Sequence, residues 1–314
     1  MKDKQLLFDR VIYSVADDIF GRPINELAMR FRDDIDLVNT IELLNRLGED
    51  VRTFHEEKQA EAIRAGIPAL FASFMPKSGG TYLHNSLLRA GATEIFHHTQ
   101  SPINFYQAYL IPSWLAIFMK GGTACHTHLM PTPYNRTVIE ECDVQRIWVH
   151  IRDPRQAALS SYWHAQGEGQ GAAEIGERRR LEELDRQLNR ANLEQLRGVA
   201  PLQSYGFEDY IKLQFVIIQQ WALDWIRFSR AQSHLSFLFT TYEEMTENPR
   251  SFERRVCEFY QWEVGDNPFL GGVTAEDRYR KGIADEWREV YSPSLKSWLE
   301  DRLDTDLISM LQRS

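Results

Sequence analysis

Lys77, Ser78 and Thr81 flank two adjacent glycines in Phe74-Met75-Pro76-Lys77-Ser78-Gly79-Gly80-Thr81-Tyr82. The segment follows a short apolar run and precedes a helical pattern. Free backbone N–H groups and the helix dipole at such a junction favour an anion. Gly79 and Gly80 allow close approach of the backbone, Lys77 adds a point charge, and the two hydroxyls add donors. No spaced glycine precedes a Gly-Lys-Ser/Thr triplet, so this is not a Walker A loop. Taken alone, the segment could also be a glycine turn with an exposed lysine.

Further along, Arg152 and Ser160 lie eight residues apart in IRDPRQAALSSYW. A guanidinium fork suits a phosphate and a nearby hydroxyl adds a donor. Read without the glycine loop, Arg152 would pair with an acid and Ser160 would pack on a helix. Arg280-Lys281-Gly282 is a third basic cluster, uninformative as an isolated tripeptide. Between them, Cys125-His126-Thr127-His128-Leu129-Met130-Pro131 carries two histidines at alternate positions. In an extended segment these imidazoles share a face, and a neutral histidine is a suitable proton acceptor. A zinc site built on Cys125, His126 and His128, with His97 or His98, is disfavoured because near neighbours on one strand rarely supply a tetrahedral set.

The elements that must position these groups follow from pattern. Residues 68–75 (PALFASFM), 146–151 (RIWVHI) and 235–241 (LSFLFTT) are short apolar runs, each followed by a helix-like stretch. That alternation predicts an α/β fold with a central parallel sheet covered by helices. Asp153 suits an N-cap and Pro154 the first helical position. Residues 1–66 have helical spacing and high charge and are read as a helical cap, an interaction face or part of the core, with the binding and catalytic core expected over 67–290 in one domain over 1–314. The charged stretch after Gly167-Glu168-Gly169-Gln170-Gly171 is read as a solvated helix, with partner binding as the alternative.

The chain has 314 residues and a net charge of −9, which excludes a surface that grips nucleic acid throughout. The run Tyr109 to Met119 is too short to span a bilayer and is read as a pocket wall, a lid or core. An acidic residue arrives too early in the N-terminus for a secretory signal. Three cysteines imply no disulfide framework, so a reducing, cytoplasmic setting is expected.

The first segment resembles the 5′-phosphosulfate loop of sulfotransferases that use 3′-phosphoadenosine 5′-phosphosulfate (PAPS), usually Pro-Lys-Ser-Gly-Thr-Thr-Trp. Gly80 stands for the first Thr of that pattern and Tyr82 for the Trp that stacks on adenine. In that family an Arg ending a strand and a Ser eight residues later bind the 3′-phosphate, matching Arg152 and Ser160. Arg280-Lys281-Gly282 matches the family's Arg-Lys-Gly, which closes over the same phosphate, although Ala284-Asp285-Glu286-Trp287 departs from the Gly-Asp-Trp-like sequence after it. The segment around Tyr242-Glu243-Glu244-Met245 is similar to a family strand and turn and is read as structural. The matches run in order from about Phe71 to Trp287.

The resemblance implies PAPS as co-substrate, no metal, and a PAPS-binding set of Lys77, Ser78, Gly79, Gly80, Thr81, Tyr82, Arg152, Ser160, Arg280, Lys281 and Gly282. Sulfuryl transfer needs a base for the acceptor proton and positive charge on the leaving group. The family's base is the His of Lys-Thr-His-Leu-Pro. His128 matches it, His126 replaces the Lys, and Met130 is an extra residue before Pro131. His126 or a carboxylate elsewhere are the alternative bases, and Lys77 is the candidate for stabilising the departing oxygen. The aromatic, apolar stretch from Ile103 to Met119 suits either core or the wall of a pocket for a small hydrophobic acceptor. A kinase using a nucleoside triphosphate and a binding protein without turnover are the rival readings. No membrane span is expected.

Overall fold

The computed structural model describes residues 56–94, 99–100, 109–110, 112–125, 127–165, 206–263, 269–270 and 284–312. Within these, β1 (Ala69–Leu70), β2 (Ala72–Phe74), α1 (Gly80–Arg89), β3 (Thr99–Gln100), β4 (Tyr109–Leu110), α2 (Pro112–Phe118), β5 (Thr123–Ala124), α3 (Pro133–Glu141) and β6 (Arg146–Ile151) come first. Then follow α4 (Pro154–Ala165), α5 (Phe207–Ala231), β7 (Ser236–Thr241), α6 (Tyr242–Glu247), α7 (Pro249–Tyr260), α8 (Trp287–Val290), α9 (Pro293–Glu300) and α10 (Thr305–Leu311). The histidine at 126, the Arg280-Lys281-Gly282 cluster, the Gly167–Gly171 segment with its charged successor, and most of the N-terminal cap lie outside the described residues.

The three-stranded sheet is parallel, as the strand–helix alternation predicts, while β3 and β4 form a separate antiparallel pair. β6 lies between β2 and β7, with Trp148 opposite Ala72 on one side and Leu238 on the other. Five of its six residues are buried, because helices cover both faces and a central strand has no solvated side. Parallel neighbours require crossovers, supplied here by α1 to α3 between β2 and β6 and by α4 and α5 between β6 and β7. Asp153 caps α4 as expected, accepting from the Arg155 N–H at 2.9 Å, and Pro154 is its first residue.

One difference from the sequence pattern is instructive. The run 68–75 is two strands interrupted at Phe71, with β1 paired to β5 and β2 paired to β6. Cys125 bonds the chain just past the break. Its sulfur accepts the Ala72 N–H at 3.0 Å and its thiol donates to the Ala72 carbonyl at 2.9 Å, taking the place of a backbone partner. Pairing resumes where the Phe74 N–H reaches the Thr127 carbonyl at 2.9 Å. Burial pushes the Cys125 thiol up to about 12, so it stays a neutral packing group committed to the sheet.

The stretch 109–119 also resolves into parts. Leu110, Leu115 and Phe118 are buried in the main core, and Phe118 meets Phe71 edge-on. At these positions the run is core. No described helix is long and apolar enough to cross a membrane.

Candidate active site

Parallel strands place everything that follows their C-terminal ends on one edge of the sheet, where α/β proteins bind ligands. β2 ends in the glycine loop, β6 in Arg152 and β7 in Tyr242. Three segments far apart in sequence therefore meet there.

The loop has a geometry that suits an anion. Lys77 and Gly79 both have positive φ, 64° and 88°, and Gly79 is the N-cap of α1 with no side chain capping it. The first turn of α1 holds no acidic residue to compete for its N–H groups. The hydroxyl of Ser78 is buried without a hydrogen-bond partner among the described residues, an arrangement that costs about 1–3 kcal/mol unless a ligand completes it. Thus the residues present fit a bound phosphate or phosphosulfate. Gly80 is required for packing as well, since a Cβ there would lie 2.8 Å from the Cβ of Phe74. The absent hydroxyl at 80 thus goes with a Phe74 pressed directly beneath the loop. Tyr82 is half-buried one turn into α1, packed against the core.

Arg152 is buried, donates from Nη1 to the Lys77 carbonyl at 3.1 Å, and lies over the Tyr242 ring at 3.8 Å. It therefore joins the ends of β2, β6 and β7. Beside it, Glu243 accepts weakly from the Asp153 N–H at 3.4 Å. Burial pushes the Glu243 carboxyl up, and the Arg152 charge opposes that rise. Ser160 is half-buried in the middle of α4, the helix that Arg152 leads into.

His128 is fixed from three directions. Its Nδ1 lies 2.7 Å from the Phe74 carbonyl. A carbonyl only accepts, so Nδ1 carries the proton and Nε2 is the basic nitrogen. Its own carbonyl accepts from Trp221 Nε1 at 2.9 Å, and the next carbonyl, Leu129, from Trp225 Nε1 at 2.8 Å. These tryptophans are one turn apart on α5 and hold the segment against the sheet. Burial and the nearby Lys77 charge keep the imidazole below its ordinary value, while the bond to Phe74 acts the other way. A neutral ring with a basic Nε2, anchored on the residue where the loop begins, can accept a proton.

The structure thus brings together Lys77, Ser78, Gly79, Gly80, Arg152 and His128. The segment just beyond Arg280-Lys281-Gly282 is anchored to α4. The Trp287 N–H donates to Gln156 Oε1 at 3.0 Å, the Arg155 guanidinium covers the Trp287 ring at 4.1 Å, and the Tyr291 hydroxyl donates to the Arg155 carbonyl. Two participants carry no motif in the sequence, and a third, Tyr242, lies in the strand and turn read as structural. Tyr242 supports Arg152, and its position directly after a strand was the available signal. His150 and Thr240 lie beneath the loop, hidden within apolar strand patterns.

The family model described as the sulfotransferase domain matches residues 75–270, more than half of the chain. That range contains the loop, His128, Arg152 and Tyr242. No curated protein matches the chain. Among solved structures, the chain is similar to mouse sulfotransferase SULT7A1 complexed with PAP, at 16% identity and a TM-score of 0.46, covering 78% of this chain and 87% of that one.

Proposed function

The chain belongs to the sulfotransferase domain family, and from that premise we propose that it moves a sulfuryl group from PAPS to a hydroxyl of a small, hydrophobic acceptor. The observation that carries the proposal is the hydrogen bond from His128 Nδ1 to the Phe74 carbonyl, which anchors the ring on the first residue of the phosphate loop and leaves Nε2 as its basic nitrogen.

In this reading the chain's groups divide the work. Lys77, the Ser78 hydroxyl and the N–H groups of Gly79, Gly80 and Thr81 hold the 5′-phosphosulfate. Arg152 and Ser160 take the 3′-phosphate, Tyr82 lies against the adenine, and Arg280, Lys281 and Gly282 close over the 3′ side. The acceptor oxygen forms a bond to sulfur while the bridging bond from sulfur to the 5′-phosphate oxygen breaks, with its electron pair leaving on that oxygen. His128 Nε2 takes the acceptor proton and Lys77 stabilises the departing oxygen. The products are a sulfate ester and adenosine 3′,5′-bisphosphate.

A hydrophobic acceptor is supported by the aromatic, apolar stretch 103–119, which lies between loop and base in sequence and of which Leu110, Leu115 and Phe118 are core. Its described end is tied to α3, where Asn135 Oδ1 accepts the Leu110 N–H at 2.9 Å. The same proposal takes 1–314 as one domain and a reducing, cytoplasmic setting, consistent with three free cysteines.

The test is turnover of sulfur-labelled PAPS against a panel of alcohols, phenols, sugars and amines. Transfer to apolar alcohols or phenols is expected. Transfer of phosphate from ATP instead, with no turnover of PAPS, would refute the reading.

A further inference from the structure

Beneath the phosphate loop lies a buried polar chain that the transfer chemistry does not use. Trp148 Nε1 is 2.7 Å from Thr240 Oγ1, His150 Nδ1 is 2.8 Å from the same oxygen, and His150 Nε2 is 3.0 Å from the Ser78 carbonyl. All are buried. Donor chemistry assigns every proton along it. An indole N–H only donates, so Thr240 accepts from Trp148, and the Ser78 carbonyl only accepts, so His150 Nε2 carries hydrogen. The Thr240 hydroxyl then donates to His150 Nδ1. Burial and the nearby Arg152 charge lower His150 to about 3, which keeps the ring neutral.

This chain of bonds has a consequence for the loop. A trans peptide places its carbonyl and its N–H on opposite sides, and no peptide here is cis. Drawing the Ser78 carbonyl back onto His150 therefore turns the Gly79 N–H away from the sheet, toward the edge where an anion would lie. We propose that His150 is a positioning residue that latches the Ser78–Gly79 peptide in its anion-binding orientation through its Nε2–H. Released, that peptide is free to rotate and present a carbonyl oxygen to the phosphate instead, since Gly79 tolerates both orientations. The Lys77–Ser78 peptide is held separately by Arg152 at the Lys77 carbonyl, so the two latches act on adjacent peptides. The 5′-phosphate as the ligand rests on the function proposed above. The tautomer and the peptide orientation do not.

Two substitutions separate the latch from general support, because both keep a buried amide. His150→Gln places an amide N–H near the Nε2 position and can still donate to the Ser78 carbonyl. His150→Asn is shorter, reaches the Nδ1 side, and cannot. Binding of adenosine 3′,5′-bisphosphate and of adenosine 3′-monophosphate would be measured by calorimetry for both variants and the wild type. His150→Gln should bind the bisphosphate within a few-fold of wild type. His150→Asn should lose roughly tenfold or more, with 3′-monophosphate binding unchanged because that ligand does not use the loop. Equal losses in both variants, or equal losses for both ligands, would overturn the latch. Nitrogen-15 spectra of histidine-labelled wild type provide an arm that needs no nucleotide. They should show His150 protonated at Nε2 alone from about pH 5 to pH 8. A ring protonated at Nδ1 overturns the latch, whereas wild type that shows the Nε2–H tautomer yet ignores the bisphosphate overturns the nucleotide assignment and leaves the latch standing.

Discussion

The Arg152 guanidinium lies over the Tyr242 ring, 3.8 Å from its centroid, while its Nη1 donates to the Lys77 carbonyl. One side chain at the end of β6 thereby braces the ends of both neighbouring strands. Stacking on an aromatic face orients a guanidinium without using its N–H donors, and the function proposed above assigns Arg152 to the 3′-phosphate.

Arg152→Ala is accordingly expected to weaken adenosine 3′,5′-bisphosphate by roughly 1.5–3 kcal/mol. Adenosine 5′-phosphosulfate, which lacks the 3′-phosphate, should lose far less. Calorimetry on the two ligands decides, and equal losses would assign Arg152 to bracing the loop alone.

His128→Ala should leave bisphosphate affinity near wild type and lower turnover by roughly 10²–10⁴-fold, as expected of a group that acts in the transition state. Because the imidazole is held below its ordinary value of 6.5, it is deprotonated at neutral pH, and the acid limb of kcat should lie below pH 6.5. A limb at or above that value, abolished by His126→Ala and not by His128→Ala, would transfer the base to His126.

Gly80→Ala places a Cβ 2.8 Å from that of Phe74, which cannot swing aside because the contact is at its own Cβ. Overpacking of this kind costs about 1–3 kcal/mol. Denaturant melts should show that loss together with weaker bisphosphate binding, since the loop must shift. Unchanged stability would mean that the loop sits further from β2.

His150 makes stability depend on pH in a direction fixed by linkage. Its ordinary value is 6.5 and the folded one about 3, so between them the unfolded chain binds the extra proton. The contribution is complete above pH 6.5 and is lost progressively as pH falls toward the folded value, on the order of 2 kcal/mol by about pH 5. Thermal melts at about pH 7 and about pH 5 should therefore show wild type losing more stability than His150→Gln as the pH is lowered. Parallel pH dependences of the two proteins would show that His150 titrates in the folded state near its ordinary value.

Much of this architecture is local, and local structure was legible. Asp153 and Pro154 announce α4, Pro249 opens α7, and 146–151 forms a strand over the whole of its apolar run. Such signals act over a few residues through caps, fixed φ angles and burial periodicity, so they survive in a linear reading.

What tertiary structure alone decided are the long-range bonds that turn residue types into working groups. The tautomer of His128 is set by Phe74, 54 residues earlier, and its backbone is held by Trp221, 93 residues later. His150 takes its proton assignment from Ser78 and Thr240, 72 and 90 residues away. Cys125, which invites a metal-ligand reading beside two histidines, instead bonds through its sulfur to the backbone of Ala72. A histidine carries the same letter whether it is base, latch or ligand. Its role depends on which carbonyl or hydroxyl the neighbouring strand brings within about 3 Å, and strand neighbours are chosen by the packing of the whole sheet, not by spacing along the chain.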